Sequence, residues 1–536
     1  MKLTNWRNLS RTGLLVLVAT YLVATGNFTF FSKVAGTYPW DAGNAAFLLS
    51  VGLLHGALLV VLMAAPGAVL PVRGVASVFI LLAAVSGYFS DHFGTVIDTV
   101  MIQNIIETNS AEVTDLLNLK FLLRMFALGV LPVIVVWHLP LQHAAYFREL
   151  CYRAQNIGGA LVIMTLCLLS FGNQYASFFR EHKLLRYYAN PSYPIYSMGK
   201  YLSHLAAEAP PTELVRIFPE AAIPTTDTER ELTIMVVGET ARRDRFSLNG
   251  YVRETTPRLA KETNLFSFTS ISSCGTSTAI SVPCMFALHG RKGFDVEAAR
   301  HTENILDVLT RAGVSVLWRD NNSDSKGVAT RVQYEDFRSP DVNPKCDTEC
   351  RDIGMLHGLQ AYIDSQPGDV LIVLHQMGNH GPAYFRRYPQ AFERFTPACQ
   401  SAELSTCTDE EIGNAYDNAI LYTDYFLSEV IALLKANTRD FETSMLYVSD
   451  HGESLGENGL YLHGMPYPLA PQQQIDVPLI VWVGSASDVD QTSALMRMDD
   501  VNSHDAVFDT LLSTFEVETA AHSSPQALYT VRELDE

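Results

Sequence analysis

The residues best able to do chemistry follow four short, β-branched runs of the chain, where each run ends. They bring together carboxylates, imidazoles, an amide and an amine: Glu239; Asn322 and Lys326; His375 and His380; Asp450, His451 and His463. In open α/β sheets the carboxyl ends of the strands form the ligand crevice. One polar strand end is ordinary surface, but four that concentrate metal-ligand types indicate a site.

Three of these side chains make a plausible ligand set for zinc. Glu239, Asp450 and His451 offer two oxygens and one nitrogen. Catalytic zinc takes four tetrahedral ligands and keeps one position open for a reacting group. The missing ligand would then be a hydroxyl.

That hydroxyl is predicted in the stretch Ser272–Phe286, which reads SSCGTSTAISVPCMF. A threonine alcohol is a poor nucleophile near neutral pH, but coordination to a divalent metal lowers its pKa, and a helix N-terminus favours the developing negative charge. The apolar AISV after Thr278 suits the start of a helix, with Thr278 near its N-cap. The alternative is a stapled turn with an idle hydroxyl.

Strands and helices that alternate along the chain must position these side chains. From about residue 228 onward the pattern predicts a mostly parallel sheet with helices on both faces. The predicted helices include Thr302–Ala312 and Asn418–Leu434. The predicted strands are Leu232–Val237, Val314–Trp318, Asp369–Leu374, Ser444–Val448 and Val477–Val483.

The first part of the chain is different, because it holds several runs almost without charge. A single run of this kind could be a cleaved signal peptide, but here more runs follow the first. A helix of about 20 apolar residues crosses a hydrocarbon core of ~30 Å. We therefore predict five membrane spans: Thr12–Ser32, Gly43–Pro66, Gly74–Ser90, Phe121–Trp137 and Ile157–Gly172.

The distribution of basic residues predicts the orientation of these spans. Lysine and arginine precede the first span and lie between the second and third and between the fourth and fifth. The segment Asp91–Leu119, between the third and fourth spans, carries five carboxylates and no basic residue. Lys33, after the first span, is the one basic residue that does not fit this distribution. Because basic loops stay in the cytoplasm, the N-terminus is expected inside and the large C-terminal part outside.

The cysteines support an exported C-terminal part. Cys151 and Cys167 lie in or beside the fifth span, whereas the other six fall in close pairs: Cys274 and Cys284, Cys346 and Cys350, Cys399 and Cys407. Short-spaced pairs in an exported domain predict disulfides and an oxidising periplasm. A zinc–thiolate site at Cys346 and Cys350 is the weaker alternative, because no second pair lies near them.

Between these parts, residues 173–227 combine aromatic and basic side chains with proline-rich stretches such as Asn190–Tyr196. We predict an amphipathic segment at the membrane interface followed by a linker. The chain is thus divided into a membrane domain at 1–172, this connection, and a catalytic domain at 228–536. The net charge of −19 argues against nucleic acid as a partner.

Six ordered motifs resemble the phosphoethanolamine transferases of Gram-negative bacteria, whose nearest group modifies lipid A and includes the mobile colistin-resistance enzymes. The motifs are VVGET, NGYVRETTPRL, SCGTSTAISVPCMF, DNNSDSKGV, LHQMGNHGPAY and SDHGESLGENGLYLHGMPY. The resemblance covers the whole chain. It implies a five-helix transmembrane domain followed by a periplasmic α/β domain of alkaline-phosphatase/sulfatase-like fold.

The resemblance also implies a role for each matching residue. Thr278 corresponds to the nucleophile that becomes modified with phosphoethanolamine, and it joins Glu239, Asp450 and His451 around a catalytic zinc. His380 and His463 correspond to histidines near the substrate that can hold a second zinc, and His375 to another histidine of that pocket. Asn322 and Lys326 correspond to residues that contact the phosphoethanolamine group.

In the acidic segment, MIQNIIETNSAEVTDLL resembles a periplasmic helix of the family, here near residues 100–117, beside the lipid entrance. Asn104, Thr108 and Glu112 are four residues apart, so they share one helical face. They match the substrate-facing residues of that helix. Without the resemblance, the residue types alone would favour an ordinary polar stripe on the helix surface.

The implied function is transfer of phosphoethanolamine from phosphatidylethanolamine to a phosphate of lipid A by a monomer in the bacterial inner membrane, with resistance to polymyxins such as colistin. The same chemistry on a core sugar or surface protein is an open alternative. A phosphatase or sulfatase is another, although the Cys/Ser-x-Pro-x-Arg segment of sulfatases is missing. A non-enzymatic sensor would have lost ligands, yet every expected position is filled.

Overall fold

A computed structural model describes residues 9–107, 116–142, 145–207 and 214–532. The chain divides into two compact units. The first comprises Met1–Ile102 and Leu117–Ala207, and the second comprises Gln103–Leu116 and Glu208–Glu536.

The first unit is built from apolar helices. Within the described ranges, four helices are long and apolar enough to cross a membrane: Ala45–Ala64, Val72–Phe93, Leu119–His138 and Phe147–Ser170. The bent pair Arg11–Thr25 and Phe28–Thr37 makes a fifth if it is counted as one span. Shorter helices follow at Gly172–Arg180 and Ser192–Ala207, and the helix Thr99–Glu107 spans the boundary between the two units at Ile102.

The predicted first span, Thr12–Ser32, is wrong as a single straight helix, because the chain bends by 63° between Thr25 and Phe28. The Asn27 side chain donates hydrogen bonds to the carbonyls of Leu22 and Asn190, and accepts one from the Asn190 amide. The Asn190 side chain in turn donates to the Gly26 carbonyl at 2.8 Å. Two buried asparagines thus satisfy the backbone groups that the break releases, which makes such a break tolerable in an apolar unit.

The segment 173–227, predicted to be an amphipathic segment followed by a linker, contains the helix Ser192–Ala207, which covers most of the proline-rich stretch Asn190–Tyr196. Pro191 precedes this helix, and Pro194 is its third residue. The first N–H groups of any helix have no partner within it, so prolines at these positions remove no helical hydrogen bond. The prolines therefore mark the start of a helix.

The second unit contains a seven-stranded sheet in the order β2-β10-β7-β1-β6-β4-β5. Antiparallel pairing joins β10 to β2 and to β7, and the other neighbours pair in parallel, as predicted. The strands are β1 Glu231–Gly238, β2 Leu265–Phe268, β3 Ile271–Ser272, β4 Ser315–Asp320, β5 Gln333–Asp336, β6 Val370–His375, β7 Glu442–Ser449, β8 Ser454–Leu455, β9 Tyr461–Leu462, β10 Leu479–Val483 and β11 Asn502–Ser503.

Both faces of this sheet are covered. Every residue of β1 is buried, as expected for a central parallel strand. Met235 and Val237 join one hydrophobic core, while Ile234 and Val236 join the other. The helices of this unit are Thr278–Met285, Gly290–Gly293, Val296–Arg300, Ile305–Ala312, Leu359–Asp364, Asp409–Asn437, Gln472–Ile475, Gln491–Arg497 and Ala506–Thr514.

All three predicted disulfides are present, and they join Cys274 to Cys284, Cys346 to Cys350 and Cys399 to Cys407. Cys151 and Cys167 are free thiols. The alternative zinc–thiolate site at Cys346 and Cys350 is thereby set aside, because a disulfide leaves no thiolate to bind a metal.

Candidate active site

The carboxyl ends of the central strands deliver the candidate site. Glu239 follows β1, and Asp450 with His451 follows β7, its parallel neighbour. Their ligand atoms all lie within 4.8 Å of one another, and all three residues are buried. The pairing of β1 with β7 thus brings together residues that are far apart in the sequence.

The Thr278 hydroxyl completes this group. Its Oγ1 donates a hydrogen bond to Glu239 Oε2 at 3.1 Å and lies 3.5 Å from His451 Nε2. Four side chains therefore point at one small volume, with three oxygens and one nitrogen. Tetrahedral zinc takes ligands of this number and these types.

Asp450 gives the clearest sign that this volume fits a cation. Its Oδ1 accepts hydrogen bonds from the amides of Thr240 and His451, at 3.1 and 2.7 Å. Its Oδ2 is buried and has no hydrogen-bond partner within the described part of the chain. A buried, unpartnered carboxylate oxygen is costly unless a cation or a proton compensates it.

The charges around this group shift the pKa values of its two carboxylates in opposite directions. Burial, and then repulsion from Glu239, raises the pKa of Asp450 to about 7. Burial also acts to raise the pKa of Glu239, but attraction to the positive charge that His380, His451 and His463 carry when protonated lowers it below its usual range. Two carboxylates so close together in a buried site call for positive charge.

The tautomer of His451 suits coordination. Its Nδ1 lies 2.9 Å from the carbonyl of Gly452, so Nδ1 carries the proton and donates. Its Nε2 then presents a lone pair to the group, 3.3 Å from Asp450 Oδ2. A ligating histidine is commonly fixed in this way by a hydrogen bond from its other nitrogen.

Neighbouring residues hold Glu239 in place. Its Oε1 accepts from the Thr240 hydroxyl, and its Oε2 accepts from Asn322 Nδ2 at 2.7 Å. Gly378 packs against the backbone of Glu239, where an added Cβ would lie 2.8 Å from the Glu239 carbonyl oxygen. The loop after β6 therefore needs glycine at this position.

Thr278 is the first residue of the helix Thr278–Met285, and Ser277 is its N-cap. The nucleophile candidate thus lies at the positive end of a helix dipole, as the sequence predicts. Gly275 allows the tight approach of this loop, because an added Cβ there would lie 2.7 Å from the Ile280 side chain. The disulfide between Cys274 and Cys284 closes the loop onto the helix.

His504 supports this loop from a part of the chain in which no motif was recognised. Its Nδ1 accepts from the Cys274 amide at 3.1 Å, and its Nε2 donates to the Ser449 carbonyl at 2.9 Å. Burial lowers the pKa of His504 to about 4, which keeps the ring neutral. This histidine therefore joins the nucleophile loop to the end of β7.

We expect His504→Ala to lower the free energy of unfolding by about 2–4 kcal/mol, because it leaves a cavity and two unpaired backbone groups. Thermal unfolding of the full-length protein in detergent measures the change. His357→Ala is the matched control, since His357 is exposed and its loss should cost no more than about 0.5 kcal/mol. Equal melting temperatures for the two variants would contradict a supporting role for His504.

His380 and His463 lie beside the group. The centroid of the His463 ring is 4.3 Å from that of His451 and 5.7 Å from that of His380. His463 Nδ1 lies 3.1 Å from Glu453 Oε2, and His380 Nδ1 lies 2.9 Å from the Gly381 carbonyl. Burial raises the pKa of Glu453 to about 8. Glu453 belongs to the same SDHGES motif as Asp450 and His451, and only the structure shows that it contacts His463.

The other residues predicted to contact substrate do not all lie next to the metal-ligand group. Lys326 Nζ donates to the Ser323 carbonyl at 2.8 Å, among its other interactions. His375 Nδ1 lies 2.8 Å from Asp320 Oδ2, so its contact is with that carboxylate and not with the metal-ligand group. Asn104 is half-buried on the helix Thr99–Glu107, while Thr108 and Glu112 lie outside the described residues. Their roles toward substrate remain predictions.

Asp352 is a further residue that the sequence did not reveal. This buried carboxylate accepts from Asn321 Nδ2 at 2.8 Å and from the amides of Met377 and Gly378 at 2.8 and 3.1 Å. It therefore holds the loop that packs on Glu239. The one signal for Asp352 in the sequence is its position two residues after Cys350, a predicted disulfide cysteine.

The sheet, the Glu–Asp–His group and the helix-borne threonine define a domain of the sulfatase and alkaline-phosphatase class. The family model described as Sulfatase matches residues 231–517, and the model described as phosphoethanolamine transferase EptA/EptB matches residues 53–206. The predicted fold class is thereby confirmed.

Whole-chain comparisons narrow this class. The phosphatidylethanolamine transferase Mcr-2 of Escherichia coli is 46% identical over 94% of this chain and 95% of its own length. Phosphoethanolamine transferase EptA of Escherichia coli K12 is 39% identical over 97% of both chains. The structure of the integral membrane lipooligosaccharide phosphoethanolamine transferase A from Neisseria meningitidis matches with a TM-score of 0.93 and 30% identity, covering 98% of this chain and all of that one.

The chain belongs to the phosphoethanolamine transferase family. It is an integral membrane protein with its catalytic domain in the periplasm. The predictions of family and localisation are therefore confirmed.

Proposed function

We propose that this protein transfers phosphoethanolamine from phosphatidylethanolamine to a phosphate of lipid A, through a zinc-dependent covalent intermediate on Thr278. The observation that carries the proposal is the position of the Thr278 hydroxyl. It lies at the start of a helix and within reach of both Glu239 and His451. The similarity to Mcr-2, which is named a phosphatidylethanolamine transferase, supports the proposed donor.

Glu239, Asp450, His451 and Thr278 would hold one catalytic zinc. When bound, it lowers the pKa of the threonine hydroxyl and offsets negative charge on the phosphoryl oxygens. The protein positions its own groups for this chemistry. Asn322 and Thr240 orient Glu239, two backbone amides orient Asp450, and the Gly452 carbonyl fixes the tautomer of His451.

In the first half-reaction, Thr278 Oγ1 attacks the phosphorus of phosphatidylethanolamine. The new bond is Oγ1–P, and the bond that breaks joins phosphorus to the diacylglycerol oxygen. Thr278 gives up its hydroxyl proton in this step, the diacylglycerol oxygen takes up one proton in exchange, and diacylglycerol leaves. The helix N-terminus at Thr278 favours the negative charge that develops on the phosphoryl group.

In the second half-reaction, an oxygen of a lipid A phosphate attacks the phosphothreonine, and the threonine oxygen leaves and regains a proton. His380 and His463 are the candidates for moving protons here and for holding a second zinc. Because Nδ1 of each ring bonds to a neighbouring oxygen, Nε2 is the nitrogen that can serve the substrate. The acceptor rests on the similarity to the meningococcal lipooligosaccharide enzyme.

Mass spectrometry of lipid A from a host that expresses the protein tests the acceptor. We expect a species heavier by one phosphoethanolamine that is absent from the empty-vector host. The added amine reduces the attraction of lipid A for cationic peptides, so resistance to polymyxins such as colistin should rise. Unmodified lipid A together with a modified core sugar or surface protein would overturn the acceptor and leave the threonine chemistry intact.

A further inference from the structure

A second cluster of carboxylates lies at the amino ends of the central strands. Glu231 is the first residue of β1 and pairs in register with Glu442, the first residue of β7. Asp369 immediately precedes β6, and its Oδ1 accepts a hydrogen bond from the Glu231 amide at 3.1 Å. The candidate active site occupies the opposite ends of these strands, about 25 Å away for a strand of this length.

Glu231 also lies close to two carboxylates from other segments of the domain. Ligand oxygens of Asp227, Glu231 and Glu516 lie within 4.8 Å of one another. Glu231 is only 6% exposed, and its Oε2 has no hydrogen-bond partner among the residues described. The cluster therefore holds a buried carboxylate with one unpartnered oxygen, and this carboxylate lies beside two others.

Such a cluster must take up positive charge. An isolated ionised carboxylate is strongly disfavoured in a buried site, so either a proton or a cation has to compensate it. Burial, and then repulsion from Asp369 and Asp227, raises the pKa of Glu231 to about 10. One proton neutralises only one of the three carboxylates, whereas a divalent ion can contact all three at once.

The donor atoms indicate which kind of ion fits. All three ligands are carboxylates, and Glu442 and Asp488 add further negative charge nearby. Calcium takes six to eight oxygen ligands in flexible geometry, whereas structural zinc prefers nitrogen and sulfur. Magnesium demands stricter octahedral geometry and keeps several waters. Among these ions, calcium or a cation of similar size and oxygen preference (a calcium-class ion) best matches the three carboxylates.

The three ligands come from two separate segments. Asp227 lies just before β1, where the chain enters the domain, and Glu516 follows the helix Ala506–Thr514. Backbone hydrogen bonds already join these segments, because Ala222 and Glu518 exchange two of them, at 3.2 and 3.0 Å. We propose that Asp227, Glu231 and Glu516 bind a calcium-class cation that fastens the entering segment to the C-terminal part of the domain.

Calcium binding to the full-length protein in a non-ionic detergent tests this proposal. Zinc is present throughout so that the candidate active site stays occupied, and calcium is the only ion whose concentration is varied. Equilibrium dialysis measures calcium binding, and thermal unfolding measures the melting temperature. We expect wild type to bind calcium and to melt several degrees higher in its presence. Combining Glu231→Gln with Glu516→Gln should weaken binding at least tenfold and remove the shift. Glu518→Gln, which removes an exposed carboxylate two residues from Glu516, should leave both unchanged.

Without calcium, the double variant should melt at or above the temperature of wild type, because it relieves the repulsion. A wild-type protein with no calcium-dependent shift would overturn the proposal and indicate shared protons in the cluster. Equal calcium binding by wild type and double variant would overturn the ligand assignment. If the double variant does not fold, Asp227→Asn alone replaces it, and unchanged calcium affinity in that variant would count against the site.

Discussion

Thr278→Ala is expected to abolish the transfer of phosphoethanolamine, with a loss on the order of 10³-fold or more, because removal of a nucleophile leaves only binding and electrostatic assistance. Wild-type protein incubated with phosphatidylethanolamine alone should gain one phosphoethanolamine on the peptide that contains Thr278. Diacylglycerol should appear in equal amount. The variant should show neither product, and added lipid A should stay unmodified.

Two neighbouring hydroxyls provide matched controls. Ser277 makes no side-chain capping bond, so Ser277→Ala should retain activity within about tenfold. Thr276 Oγ1 donates to the Met465 carbonyl at 2.6 Å, next to the loop that carries His463. Thr276→Val should therefore be impaired to an intermediate degree while still forming the covalent intermediate. Modified lipid A produced by the Thr278→Ala protein would falsify the mechanism.

Asp450→Asn is expected to have opposite effects with and without zinc. The substitution keeps the shape of the side chain but removes a charged ligand, so zinc affinity should fall by at least about 100-fold, and activity with it. In the zinc-free protein it removes one of two buried carboxylates that repel each other. The zinc-free variant should therefore be at least as stable as zinc-free wild type.

Zinc content after gel filtration and thermal unfolding after chelation measure these two effects. Chelation should inactivate wild type, and added zinc should restore it, whereas the variant should remain inactive. Asp336→Asn is the control, since Asp336 is exposed on β5 and pairs with Arg338. An Asp450→Asn protein with normal zinc content and full activity would show that the ligand group is misassigned.

The central strands could be predicted from the sequence because each is a local pattern, and the polar residues after them could be expected to lie close together because parallel strands end at the same edge of a sheet. The strands are continuous apolar runs that are buried on both faces, and the polar residues follow them directly. His504 and Asp352 were not predicted, because each acts on a loop that is distant in the chain and carries no local pattern. The break at Asn27 was missed for the same reason, since its partner Asn190 lies far along the sequence.

The order of the strands has a consequence for how the domain is made. β1 lies at the centre of the sheet, but its partners are β6, which begins at Val370, and β7, which begins at Glu442. During export this fully buried strand therefore reaches the periplasm long before either neighbour. Sheets with such long-range pairing fold slowly and expose aggregation-prone edges meanwhile. Chains truncated before β7 should fail to fold, and yield in the host should depend on periplasmic chaperones more than on the rate of synthesis.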